Sequence, residues 1–214
     1  IIPPAAALCA LNVQEKAIAR LQGIRAQAAL TARQKDQTLA HSQGEILFTN
    51  YGVSGPAVIN ISAEVSRNLP KGPVELDINF FAGYADFSAF MQQRKEAFGN
   101  RRAKDFFAGL LHENIANLLI DLRKNIPVTE WTPGTWQNVV NTLQKWTFHI
   151  ASARPWQEAM AASGGVNTSE INYNTFESLK CPGVFITGEL LDVDGASGGF
   201  NLHFAWSSGF TAAR

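Results

Sequence analysis

Residues 188 to 210, GELLDVDGASGGFNLHFAWSSGF, put five glycines and three acids ahead of and inside a run with helical character. Acids at this density suit a bound cation, and glycines at this density suit a close-approaching ligand. A calcium loop is tested by counting. With Asp192 at position 1, the glycine of position 6 falls on Ser197 and the bidentate Glu of position 12 on His203; with Gly195 at position 6, position 1 is Leu190 and position 12 is Asn201. Both frames fail. There is no GxxxxGK[ST], and no GxGxxG follows a strand and opens a helix, so neither a P-loop nor a full dinucleotide fingerprint is present. What remains is Gly188 and Glu189 after an apolar segment, a tight turn, and Gly198-Gly199 opening a helix in which Ala205, Ser208, Gly209 and Ala212 are spaced for close packing. Such a helix start offers free N–H groups and a dipole to an anionic or planar ligand.

Other reactive residues are scattered. His41, His112, His149 and His203 show no pair at metal-ligand spacing, so no metal site is predicted. Ser54 in GVSGP resembles a nucleophile elbow, but Pro56 stands where the pattern needs glycine, and Ser54 reads better as a helix cap, a place Gly55 can also take. No acid or base lies at a definable distance from a reaction centre, so the catalytic residues are unknown. Cys9 and Cys181 match no CxxC spacing and suit two thiols in a reducing, cytoplasmic setting.

The elements that must position these groups fall into three stretches. In the first, 1–85, period-two alternation predicts strands over 23–33, 44–49 and 73–80. Between the last two, Pro56 suits a first helical turn, and Val58, Ile61, Val65 and Leu69 form a stripe, so a helix crosses the sheet. In the second stretch, 86–155, the period becomes helical: Asp86 caps a helix with Phe87, Phe90 and Met91. Phe106, Phe107, Leu110, Leu111, Ile115, Leu118, Leu119 and Leu122 recur at three and four, with a break near His112, and Trp136, Val139, Val140, Leu143 and Trp146 form a further stripe. The third stretch, 156–214, is glycine-rich around one short apolar strand, 183–187, of the kind buried in a parallel sheet. About sixty residues with one such strand cannot build a core of their own, so this stretch completes a sheet supplied elsewhere. The fold class is α+β: a small, mainly antiparallel β barrel or sheet with a helical subdomain, followed by part of an α/β domain.

The 214 residues carry 18 basic and 18 acidic side chains, so no global field gathers nucleic acid or an anionic membrane. The apolar start, IIPPAAALCAL, lacks a basic n-region and does not read as a signal peptide. The only methionines are Met91 and Met160, and we read the chain as part of a longer protein.

The stretches GEILFTNYGVSGPAVINIS, ASGGVNTSEINYNTFES and GVFITGELLDVDGASGGFNLHFAWSSG together resemble a bacterial family of NAD(P)/FAD-dependent oxidoreductases that includes aminoacetone-oxidase-like and bile-acid-dehydroxylation flavoproteins. The resemblance runs through essentially the whole chain. It implies a glutathione-reductase-like FAD domain interrupted by an insert of β barrel plus helices, with this chain supplying the insert and the C-terminal return. On that basis the chain lacks the N-terminal dinucleotide-binding half, its implied partner, and by itself binds FAD poorly.

The resemblance also implies that Gly188 and Glu189 lie near the flavin ribityl chain, and that Gly198, Gly199, Asn201 and Leu202 form the helix start beside the ring. Ser163, Gly164 and Gly165 match the family's other glycine turn and would line the same pocket. His203 and Phe204 depart from the family's usual Gln and Trp, Leu179 from its Lys, and Ala212-Ala213 from its Ala-Gly, which bears on fine specificity. Asp192 and Asp194 are left to shape the turn. The alternative readings are a non-catalytic structural or protein-interaction module and a serine hydrolase using Ser54. Exposed sheet edges would favour self-association.

Overall fold

Alternating apolar side chains on six segments close into an antiparallel barrel in the computed structural model, which describes residues 1–120, 123 and 125–214. After a first strand, β1 (Ile2–Ala7), the chain enters the barrel with β2 (Leu11–Val13), β3 (Arg25–Gln34), β4 (Gln37–Phe48) and β5 (Gly52–Ser54). Two short helices follow, α1 (Pro56–Ile59) and α2 (Ser62–Asn68), and then β6 (Val74–Asn79). Helices α3 (Phe87–Phe98), α4 (Ala103–Phe106), α5 (Glu113–Ile120) and α6 (Pro133–Gln144) lead to β7 (Trp146–Ala153). The chain ends with β8 (Ala161–Gly165) and α7 (Phe200–Ala212). Barrel order is β2-β5-β4-β3-β6-β7, and β7 pairs back onto β2.

The barrel interior is apolar. Leu11, Leu30, Ile46, Phe48, Val53, Leu76 and Ile78 are fully buried there, joined by Ile18 and Leu21 from a 3-10 turn, Lys16–Leu21. The predicted strand over 23–33 is β3, and that over 73–80 is β6. The strand predicted at 44–49 is only the inner end of β4, whose outer half pairs with β3 through a two-residue turn at Lys35-Asp36, where Lys35 has φ +55. That outer half is largely solvated, so it has no hydrophobic alternation to read.

The crossing helix is broken in two. Pro56 does occupy the first turn of α1, and Val58, Ile61 and Val65 are buried on the barrel. Of the two candidate caps it is Gly55, at φ +93, that takes the N-cap position, and no side chain caps the helix. Ser54 lies in β5 instead. A Cβ on Gly55 would come within 2.8 Å of the Glu45 carbonyl oxygen, so strand-to-strand closeness selects glycine there.

The helices sit between β6 and β7 around a second aromatic core of Phe87, Met91, Phe106, Phe107, Trp131, Trp136 and Leu143. Asp86 caps α3 as expected, accepting from Ala89 N–H at 2.8 Å. The break near His112 is real, separating α4 from α5, while Leu122 lies outside the described residues. Trp146 belongs to no helical stripe. It opens β7, where Trp146, Phe148 and Ile150 alternate as a strand should, so 86–155 holds helices through Gln144 and then a barrel strand.

The final stretch packs against the outside of the barrel. β8 pairs with β1 in a separate two-stranded sheet. The apolar segment 183–187 is not a buried parallel strand here. It makes a short antiparallel ladder with Phe176, Glu177 and Ser178, and leaves Val184 and Phe185 about half exposed. A strand of this kind needs a neighbour on each side, and it has one.

Candidate functional site

Gly188, Glu189 and Leu190 form a single 3-10 turn between β8 and α7, and each end of the turn is fastened. Gly188, at φ +62, donates its N–H to Ser208 Oγ at 3.0 Å and lies so that a Cβ on it would come within 3.4 Å of Ala205. Ser208 is the buried residue of α7, so of the small residues read from the sequence Ser208 and Ala205 meet the turn, while a Cβ on Gly209 would meet open space. Glu189 Oε1 accepts from Ala162 N–H at 2.7 Å, holding the carboxylate against the start of β8 while the residue stays exposed. Val166 N–H donates to the Leu190 carbonyl and Asp192 N–H to the Val166 carbonyl, at 2.8 and 2.9 Å.

The structure thus brings Gly164, Gly165, Gly188 and Glu189 together, but their bareness has different causes. A Cβ on Gly164 would come within 2.6 Å of the Pro3 carbonyl oxygen, and one on Gly165 within 2.5 Å of that of Leu190. Close backbone packing accounts for both. Gly199, by contrast, has open space where a Cβ would be, and at φ +92 it is the N-cap of α7 with no capping side chain. The first intrahelical bond there runs from His203 N–H to the Gly199 carbonyl, so the N–H groups of Phe200, Asn201 and Leu202 precede the ladder. Ala205 lies about 7 Å along the axis from Phe200. The acid turn and the open helix start are therefore neighbours on one helix.

Asn201 does not offer its side chain to a ligand. Its Oδ1 accepts from Gly195 N–H at 2.8 Å and its Nδ2 donates to the Gly195 carbonyl at 3.0 Å, closing the loop. Leu202 is 70% exposed, and so are most of Phe200, Trp206 and Phe210. Apolar exposure on this scale along one helix marks a surface that another group covers.

Asp192 and Asp194 both accept from Arg67 of α2, at 2.8 and 3.2 Å, and Asp194 also accepts from Ser163 Oγ at 2.9 Å. Arg67 reaches Glu64 as well. Ser197 N–H donates to Asn60 Oδ1 at 2.8 Å. These contacts tie the acidic turn to the barrel helices and use the two aspartates as turn-shaping groups, while no cluster of three metal-ligating side chains occurs among the described residues. Sequence reasoning missed Arg67, which is distant in the chain and carries no local signal.

The histidines stay apart. His41 shares a hydrogen bond with Thr31, His112 accepts from Asn114 N–H, and His149 bonds Glu15 on the barrel wall. Ser54 pairs with Leu47 in the barrel ladder. Among the described residues no helix is long and apolar enough to cross a membrane.

The family described as HI0933-like protein barrel and H2TH domain matches residues 5–161, ending where β8 begins. The chain belongs to this family, a family of flavoprotein oxidoreductases. It is 32% identical over 224 residues to a 3-dehydro-bile acid delta(4,6)-reductase of Clostridium scindens, covering 99% of this chain and 53% of that protein. It is 30% identical over 172 residues to the ribosomal RNA dihydrouridine synthase of Escherichia coli, covering 79% and 41% respectively. With the synthase of the same description from Haemophilus influenzae it shares 29% over 217 residues, covering 100% and 52%. The chain spans about half the length of the curated relatives it matches.

Proposed function

We propose that the chain is the barrel, helical insert and C-terminal return of an FAD-dependent reductase, supplying the flavin-ring and ribityl side of the cofactor site. On this reading a dinucleotide-binding half, supplied by other residues, would complete that site. The observation that carries this reading is the single turn holding Glu189 between β8 and α7, beside a helix start with free N–H groups and no capping side chain.

These groups fit a flavin. Main-chain N–H groups of Phe200, Asn201 and Leu202, with the helix dipole, favour negative charge by about 0.3–1 kcal/mol, and about 2 in a partly buried setting. Gly198 and Gly199 let the main chain approach a planar ring. The Glu189 oxygen not used by Ala162 remains available to accept from a hydroxyl. The exposed apolar face of α7 would be covered by the dinucleotide-binding half. The chemistry that a flavin held by these groups would supply is hydride transfer to the substrate. The names of the relatives suggest the substrate chemistry: a delta(4,6)-reductase of a 3-dehydro steroid and a dihydrouridine synthase both reduce a C=C bond conjugated to a carbonyl. We assign that reaction class to the complete protein.

The test is co-expression of the chain with a dinucleotide-binding half, followed by flavin absorbance. Stoichiometric FAD is expected in the pair and none in the chain alone. Glu189→Gln, which can keep the bond from Ala162, is expected to weaken FAD retention about tenfold. Stoichiometric FAD on the chain alone would remove the need for a second half. Unchanged retention in Glu189→Gln would remove the carboxylate from the site. The alternative of a non-catalytic interaction module draws on the same exposed face of α7, and restored reductase activity in the pair would exclude it.

A further inference from the structure

Arg67 has a second neighbourhood. Besides holding Asp192 and Asp194, it lines a cleft of about 520 Å3 between β1, α2 and the end of β7. The walls are mainly apolar: Pro3 and Pro4 on β1, Leu69 and Pro70 after α2, and Trp156 beyond β7. Size and lining are those of a small-molecule site. Packing leaves Trp156 unexplained. It is 51% exposed and touches no other ring and no cation among the described residues, whereas Trp131 and Trp136 are buried in the helical core and Trp146 packs on Phe80 and Phe148.

The cleft is pre-formed. Gln34 donates to the Asn68 and Gly72 carbonyls at 3.0 and 2.9 Å, which fixes the turn that carries Leu69, Pro70 and Lys71. The ladder to β8 fixes β1, and the Arg154–Glu158 pair fixes the turn of Trp156. Its charged lining residues, Arg67 and Lys71, have one sign. Arg67 is neutralised by Asp192 and Asp194. Lys71 donates to Asn68 Oδ1 at 3.0 Å, has no carboxylate partner among the described residues, and keeps two further N–H donors. The acids on the flanking turns are committed, Glu64 to Arg67 and Glu158 to Arg154.

One cation at the rim of an apolar cleft suits a single anionic group on an apolar body, and not a polyanion. The indole and the three proline rings offer flat faces, so a planar aromatic body gains contact at less rotamer cost than a flexible chain. An added peptide strand is disfavoured, because Pro3 and Pro4 have no N–H to pair with it. We infer that this cleft binds a planar aromatic monocarboxylate, with the ring system against Trp156 and the prolines and the carboxylate on the Lys71 ammonium. The assignment stands apart from the flavin reading, since none of its groups is a proposed flavin contact.

Heteronuclear NMR of the full chain titrated with naphthoate provides the test, because each of the five tryptophans gives one indole N–H signal and Trp156→Phe identifies that of Trp156. The Trp156 signal is expected to move along a saturating curve with a Kd of about 0.1–1 mM, while those of Trp131, Trp136 and Trp146 stay in place. Lys71→Gln should weaken binding about two- to fivefold and Trp156→Ala about tenfold, with matching urea midpoints establishing that the variants fold. Naphthamide, of the same shape without the charge, should bind wild type as weakly as naphthoate binds Lys71→Gln, and this comparison stands whatever the variants do. A static Trp156 signal, movement of Trp206 at lower naphthoate concentration, equal binding by Lys71→Gln or of naphthamide, or tighter binding of decanoate would each overturn the assignment.

Discussion

Arg67 organises more of the C-terminal turn than any residue the sequence advertises. Its side chain is 26% exposed, and those of Asp192 and Asp194 are 21% exposed, so solvent screens the cluster only in part. Removing the cation leaves two half-buried carboxylates facing each other. Arg67→Ala is therefore expected to destabilise the chain by about 1–3 kcal/mol, with faster proteolysis within 192–198 as the local readout. Gly165→Ala is expected to cost a similar 1–3 kcal/mol, seen as a lower thermal midpoint, because φ +131 and the nearby Leu190 carbonyl both oppose a Cβ. On the barrel wall, the hydrogen bond that the His149 ring donates to Glu15 and the charges of Glu15 and Glu75 raise the His149 pKa above its ordinary 6.5. This pair stabilises the fold below the unfolded-state pKa and loses that contribution as pH rises through the raised folded value. With His149 about half exposed, the contribution is at most about 1 kcal/mol. Glu15→Gln should flatten the rise of urea-unfolding stability on going from pH 8 to pH 5.5.

Elements were legible where a buried face repeats. The stripes of α3, α5 and α6 and the alternation of β3 and β6 each present an apolar side to one of two cores, and period alone finds them. The outer half of β4 is held by its ladder to β3 rather than by burial, so its residues, QTLAHSQ, carry no period. The alternation of β7 was present in WTFHI but was masked by the helical stripe running into it from α6. β8, with the sequence AASGG, lies between backbones too close for side chains, and a strand of that kind looks like a turn in sequence. The same holds for the site. Glycines and the acid at 189 could be located from type and spacing, whereas the fastening by Ala162, Ser208 and Arg67 depends on contacts distant in the chain. On α7, Trp206→Lys with Phe210→Lys is expected to reduce self-association of the isolated chain while leaving its unfolding midpoint nearly unchanged, as sedimentation and calorimetry would show.

At the scale of the molecule, barrel and helices share packing as well as a backbone. Ile115 of α5 is fully buried in the barrel core, while Phe80, Leu111 and Leu119 contact both cores. A cavity at that position should be felt on both sides. Ile115→Ala is expected to cost about 2–5 kcal/mol, with barrel and helical signals lost in one transition. Two transitions in calorimetry would show that the cores fold separately.

The register Ile78↔Trp146 places the two ends of the helical insertion on adjacent barrel strands, so the backbone there could be joined by a short hairpin turn. Such a shortcut would close the strands but pull a stopper from the barrel, because Ile115 would leave with the helices. For anyone grafting parts among relatives, or tracing how the insertion was gained, the unit of exchange is therefore the whole plugged vessel rather than either piece.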